Sequence, residues 1–241
     1  MAEDGIERSE SGAPIYRYDD RERVFELAES DPEALERIEE HLDTFLGSDR
    51  IVWHEIISDL VHIDVHIAGP TSERDFYTLV TTGMSDKPMN APAPDLQYAE
   101  ILICLPPDWQ PPKQGEFLAP GTEDDNHAPI RWLKYLARMP HEYGTWLGFG
   151  HTVPNGDPPV PFTSDTQLCC ALLLEPVLFG EGFTPLRIRD DKVVNFLSLV
   201  PIYKEEMELK LKGGVEALLP RFDEYNITEL LDLKRRNVCR P

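Results

Sequence analysis

Cysteine is scarce: Cys104, Cys169, Cys170 and Cys239 are the only four in 241 residues. None forms a C-x-x-C pair, so no disulfide framework or zinc knuckle is indicated. The spacing predicts free thiols in a reducing compartment, with at least two of them buried as small hydrophobes. No apolar run is long enough to span a membrane, and the first residues are acidic and polar rather than a targeting segment. A cytoplasmic protein is expected. The P-loop, the dinucleotide fingerprint, H-E-x-x-H and the Gly-x-Ser-x-Gly elbow are all absent, so no enzyme class is marked by motif. Positive charge is also in short supply. Lys and Arg number 23 against 44 Asp and Glu, for a formal net charge of −21. A field of that sign disfavours nucleic acid and anionic membrane and attracts a basic protein partner. It also favours solubility without any partner.

What is present reads as one α+β domain. Residues 1–18 offer little to bury and are expected to be a mobile acidic tail, with a single domain over 19–241. Residues 19–29 can form a short charged helix. Asp31 then suits an N-cap and Pro32 the first helical position. Leu35, Ile38, Leu42 and Phe45 recur at helical spacing, and Gly47 stops the run. Strand patterns follow at about 51–57, 61–67, 75–82 and 98–105. Five prolines make 106–123 irregular. A helix is expected over 128–140 with Ile130, Leu133 and Leu136 facing inward, and a Pro- and Gly-rich loop over 150–166. Strands are expected at 167–175 and near 193–202, then helices at about 203–211, 214–222 and 227–235. Early strands, later mixing with helices and no strict βαβ alternation suggest α+β architecture.

Three constellations carry chemical interest. His62, Asp64 and His66 fall at alternate positions of an expected strand and would share one face, a ligand set that suits zinc or iron in a metal-dependent hydrolase. Flat strand spacing is wide for one ion, and the bland reading is a polar strand face. The run Thr82-Gly83-Met84-Ser85-Asp86 ends a strand in hydroxyls, a carboxylate and a glycine turn, and Asp86 suits a turn cap. Ser85 and Asp86 have no second motif that places a base. Trp109, Trp132 and Trp146 are either partner anchors or core residues. Glu123, Asp124 and Asp125 read as a solvated turn, because a calcium loop needs a tighter ligand period with glycine.

The ordered series of segments is more telling than any one of them. It comprises Glu55-Ile-Ile-Ser-Asp-Leu-Val-His-Ile-Asp-Val-His66, Tyr77-Thr-Leu-Val-Thr-Thr-Gly-Met-Ser-Asp86 and Tyr98-Ala-Glu-Ile-Leu-Ile-Cys-Leu-Pro-Pro-Asp-Trp109. Trp132-Leu-Lys-Tyr-Leu-Ala-Arg-Met-Pro140, Gly148-Phe-Gly-His-Thr152 and Leu172-Leu-Leu-Glu-Pro176 complete it. Over about residues 35–232 the chain resembles the Suppressor of fused domain family, bacterial type. The resemblance implies a mixed β-sheet flanked by helices and a non-catalytic protein-interaction module with no cofactor. The animal member binds an extended peptide segment in a cleft between two lobes, strengthened by strand addition, and this chain is long enough for one lobe. Bacterial members resemble immunity proteins that neutralise toxins, and a basic toxin would suit this charge. The partner-binding residues expected on this basis are Thr82, Met84, Asp86 and His151. The continuation Lys87-Pro88-Met89-Asn90 departs from the animal pattern.

Overall fold

A computed structural model describes residues 6–19, 25–55, 58–112 and 125–240. Two short strands, β1 (Glu7–Arg8) and β2 (Pro14–Ile15), form a small hairpin within the segment expected to be a tail. Ser11 N–H donates to Leu211 O, and Tyr18 donates its hydroxyl to Thr145.

Helix α1 (Pro32–Leu46) forms where capping and period converge. The Asp31 carboxylate accepts from Ala34 N–H, Pro32 opens the first turn, and the chain leaves the helix at Gly47. Ala34, Ile38, Leu42 and Leu46 are buried. Next come β3 (Arg50–Trp53), β4 (Asp64–Ala68), β5 (Tyr77–Thr82) and β6 (Tyr98–Leu105). Helix α2 (Ala128–Tyr143) buries Ile130, Leu133 and Leu136 as its spacing predicts. Strands β7 (Thr152–Pro154), β8 (Cys170–Leu174), β9 (Leu186–Arg189) and β10 (Lys192–Ile202) follow, then α3 (Lys204–Gly213) and α4 (Leu219–Glu224).

The main sheet has the order β3-β4-β5-β6-β10-β8-β7, with β9 beside the first part of β10. The β6–β10 pair is parallel and the other pairs are antiparallel, so the sheet is mixed. Alternation along the strands splits the core. Ile101, Ile103, Leu197 and Leu199 join Leu133 and Leu136 of α2 in one cluster. Leu102, Val194 and Phe196 pack with α1 in a second. Cys170, Leu172, Val200 and Ile202 pack with Leu218 and Phe222 in a third. The expected mixed sheet flanked by helices is the architecture observed.

Several local expectations are corrected. Residues 20–24 and 56–57 lie outside the described residues, as does 113–124. Residues 25–29 are not helical: Leu27 bridges Asp59, Leu60 N–H donates to Glu26 O, and Glu26 N–H donates to the Asp59 carboxylate. Those long-range bonds replace the local helical ones. The loop over 150–166 contains β7, and β9 went unforeseen. The segment 227–235 is not a helix. Cys104 at the end of β6 gives its N–H to Glu229 O and takes Leu231 N–H on its own O, so 229–231 runs beside β6. Its apolar spacing fits a helix, but the bonding comes from the sheet. Arg235 then seals this segment, donating to the Glu206 carboxylate at 2.5–2.8 Å, with Glu206 fully buried.

Candidate functional site

The Thr-Gly-Met-Ser-Asp turn is built around a carboxylate supplied by another strand. Glu100, in the middle of β6, has no exposed surface. Its Oε1 accepts from Gly83 N–H at 3.1 Å, Ser85 N–H at 3.0 Å and the Ser85 hydroxyl at 2.7 Å. Its Oε2 accepts from the Thr81 hydroxyl at 2.7 Å. Burial pushes the Glu100 pKa up to about 7, against the pull of these donors. Gly83 must adopt φ +98° to turn the chain over the carboxylate. A β-carbon there would lie 1.8 Å from His62 O, so no side chain fits.

Met84, Ser85 and Asp86 form a single 3-10 turn. Met84 is fully buried, its carbonyl accepts from His141, and Thr82 is 3% exposed. Met84 and Thr82, both expected to contact a partner, are therefore not available at the surface. Strand β5 is paired with β4 and β6, so it has no free edge for a peptide. Asp86 is the accessible member of the turn. Burial raises its pKa, and its Oδ1 accepts from Asp31 N–H at 3.2 Å. That bond ties the turn to the start of α1. Burial alone would raise the Asp31 pKa too, but hydrogen bonds from Lys192, Ala34 and Arg189 outweigh it and hold it at about 2.

Between the turn and α1 lies a cleft of about 80 Å³. Leu35 and Ile38 form an apolar wall, while Asp64, Asp86, His62 and Thr82 supply polar groups. Two sequence-predicted groups thus meet in one place, although not as a metal site. Strand β4 begins at Asp64, so His62 does not share its face with His66. Asp64 accepts from His54 at 2.8 Å, His62 at 3.0 Å and Glu55 N–H at 2.8 Å. His66 is buried, with Nε2 3.2 Å from the Thr82 hydroxyl, and burial depresses its pKa to about 4. Among the described residues, no group of three His, Cys, Asp or Glu side chains could hold a metal.

Ser58 Oγ lies 2.5 Å from His62 Nδ1, which gives a Ser58-His62-Asp64 chain. The ring is reversed relative to a hydrolase triad, where serine meets Nε2. The nearby N–H groups of Gly83 and Ser85 are committed to Glu100 rather than to an oxyanion. This chain orients Asp64. Ser85 likewise spends its hydroxyl on Glu100 and offers no nucleophile.

His151 sits elsewhere. It precedes β7, and its ring packs 4.3 Å from that of Trp146, with burial lowering its pKa to about 4. Four strand spacings separate β5 from β7, about 19 Å at the usual interstrand distance. Trp109, Trp132 and Trp146 pack against the core. Sequence reading missed Glu100, although one acidic residue inside an apolar strand run was a legible signal that a polar cradle had to exist.

This is a mixed-sheet fold flanked by helices, whose signature turn is structural and whose cleft is small and acidic. Residues 59–236 match the model of the Suppressor of fused protein family, and the chain belongs to that family. No curated protein matches the sequence. Among solved structures, it is similar to a Suppressor of fused homologue from Neisseria gonorrhoeae. The TM-score is 0.60 at 21% identity, covering 84% of this chain and 95% of that one. It also matches a chain of a Sufu–Fu complex, with TM-score 0.58, 14% identity and coverage of 85% and 91%. Drosophila Suppressor of Fused matches with TM-score 0.55 and 14% identity. The match covers 85% of this chain but 51% of the fly protein.

Proposed function

We propose that this domain is a non-catalytic interaction module that captures a basic partner polypeptide. The observation that carries the reading is the cleft beside Asp86, with two carboxylates facing an apolar wall in a chain of net charge −21. A lysine or arginine side chain matches both surfaces, laying its stem on Leu35 and Ile38 and its cation between Asp64 and Asp86. A family relative in complex with Fu supports a protein as partner. The finer reading is an immunity protein that neutralises a basic toxin in the cytoplasm without any cofactor. Thr82 and Met84 serve it from within, by holding the turn, and Asp86 makes the contact. His151 would belong to a separate contact at β7.

The test is binding kinetics against the basic product of a neighbouring gene, at about 50 and 300 mM salt. Association should slow with salt while dissociation changes little. Asp86→Ala should weaken binding roughly tenfold. Salt-independent association, together with wild-type binding by the Asp86 variant, would refute the assignment.

A further inference from the structure

The two carboxylates of the cleft differ in what they still have to offer. A carboxylate has about four lone-pair sites, two on each oxygen. Asp64 has filled three of them. Its Oδ1 accepts from His62 at 3.0 Å and from Glu55 N–H at 2.8 Å, and its Oδ2 accepts from His54 at 2.8 Å. Asp86 takes one donor, Asp31 N–H at 3.2 Å on Oδ1, and among the described residues its Oδ2 takes none. The unfilled sites are therefore one on Asp64 Oδ2, both on Asp86 Oδ2 and the second on Asp86 Oδ1.

The charged neighbours point to Asp86 as the anchor. Lys87 is paired with Glu26. Lys192 is 1% exposed, with Nζ 2.8 Å from Asp31 Oδ2 and set over the Tyr98 ring. Arg189 is held by Asp31, Glu33 and Asp191. Lys134 of α2 has Glu55 and Asp64 as anionic neighbours, which partly offsets the Asp64 charge. Beside these groups stands the apolar wall, where Ile38 is buried and Leu35 is 40% exposed.

Lysine and arginine make different demands on such a site. A guanidinium is a rigid fork that docks best on both oxygens of one carboxylate. Asp64 Oδ1 is full, and on Asp86 the fork would have to share Oδ1 with Asp31 N–H, the bond that ties the turn to α1. An ammonium is a compact charge whose three N–H groups turn freely toward separate acceptors. We propose that the cleft selects a lysine of the partner over an arginine. The ammonium donates to Asp86 Oδ2 and to the remaining site on Asp64 Oδ2, and the four-carbon stem lies across Leu35. The inference rests on the basic-partner reading and narrows it to one residue type.

The experiment uses the whole protein labelled with nitrogen-15. The probes are acetylated, amidated Gly-Ser-Xaa-Ser-Gly peptides in which Xaa is lysine, arginine or acetyl-lysine, titrated at constant ionic strength. The lysine peptide should move the Ser85 and Asp86 amide signals and bind about fivefold more tightly than the arginine peptide. Acetyl-lysine, which has lost its charge, should move neither signal. Asp86→Asn can keep an acceptor for Asp31 N–H while placing an amide donor where Oδ2 was, so it should abolish lysine binding; unchanged amide signals away from the cleft report that it folds. Leu35→Ala should weaken the lysine and arginine peptides alike. Equal or tighter binding of arginine overturns the selectivity and leaves the basic-partner reading standing. Lysine binding that leaves the cleft amides unmoved, or that survives Asp86→Asn, places the contact elsewhere and overturns the proposal. If no peptide binds, the proposal also falls, and the salt dependence and Asp86→Ala kinetics with the neighbouring gene product decide the parent reading independently.

Discussion

Replacing Glu100 with glutamine tests the account of the signature turn most sharply. Glutamine keeps an oxygen for Gly83 N–H, Ser85 N–H and the Ser85 hydroxyl, and turns its amide toward Thr81. The Thr81 hydroxyl already accepts Ile101 N–H at 2.9 Å and can accept a second donor after rotating. The substitution therefore removes the titrating group with little change of shape. In the folded chain the Glu100 carboxyl keeps its proton up to about pH 7, against an ordinary 4.5. Between those values the folded state binds more protons than the unfolded state. Its contribution to stability is full below about pH 4.5 and is lost as pH rises through 7. The gap corresponds to about 3 kcal/mol. At a urea m-value of roughly 3 kcal/mol/M, that is about 1 M in the midpoint.

Three histidines, the buried His66 and the half-buried His141 and His151, pull the other way. His66, His141 and His151 each have a pKa lowered to about 4, mainly by burial, so their neutral forms stabilise the fold above the ordinary histidine range and that stability is lost as pH falls toward 4. The raw wild-type profile mixes both trends. The difference between wild type and Glu100→Gln isolates the carboxyl, because the histidines are common to both. Urea midpoints of the two proteins from pH 4.5 to 8 provide the assay. Wild type should lose about 1 M relative to the variant across that range. Parallel curves would show that the cradle keeps Glu100 ionised throughout, and the burial argument would fail.

Gly83→Val should lower stability by about 3 kcal/mol or more, or prevent folding, because its β-carbon meets a backbone oxygen at 1.8 Å in a left-handed conformation; an unchanged urea midpoint refutes the steric account. Arg235→Met should cost about 3–5 kcal/mol by stranding the fully buried Glu206, and normal stability would show that Tyr203 and Val238 N–H groups suffice for that carboxylate. Purified protein should carry no stoichiometric zinc or iron, and one equivalent by elemental analysis, lost on His62→Ala, would revive the metal reading. Limited proteolysis should cut within residues 1–18 before it cuts the domain, and early internal cleavage would contradict the proposed tail and single-domain division.

The elements that sequence reading located are those whose signals are local. Helix α1 has its cap, its opening proline and its apolar period within sixteen residues, and all of them act where they stand. Helix α2 and strand β10 follow equally from period and apolar run. Misreadings cluster where a distant partner decides. Residues 227–235 have helical spacing but bond to Cys104, about 125 positions earlier, and no local propensity shows that β6 leaves a place for them. Residues 25–29 turn toward Asp59 and Leu60 for the same reason. At the cleft, the importance of Gly83 and Asp86 was legible, but which groups faced solvent was not. That depended on β5 lying inside the sheet and on Glu100 drawing the turn inward.

The cradle has a consequence for what family membership conveys. Of the sharpest motif, Thr81, Gly83 and Ser85 serve Glu100, Met84 fills the core, and Asp86 is the one side chain left near the surface. Residues of this kind are required by the fold whichever polypeptide is bound, because an unsatisfied buried carboxylate is costly in any member that keeps it. The motif therefore identifies the scaffold and leaves the partner undetermined. On the proposed reading, partner choice falls to exposed positions outside it such as Asp49, Ile51 and, at the cleft, Leu35. Substitutions there should change binding with little effect on stability, while substitutions in the cradle should do the reverse.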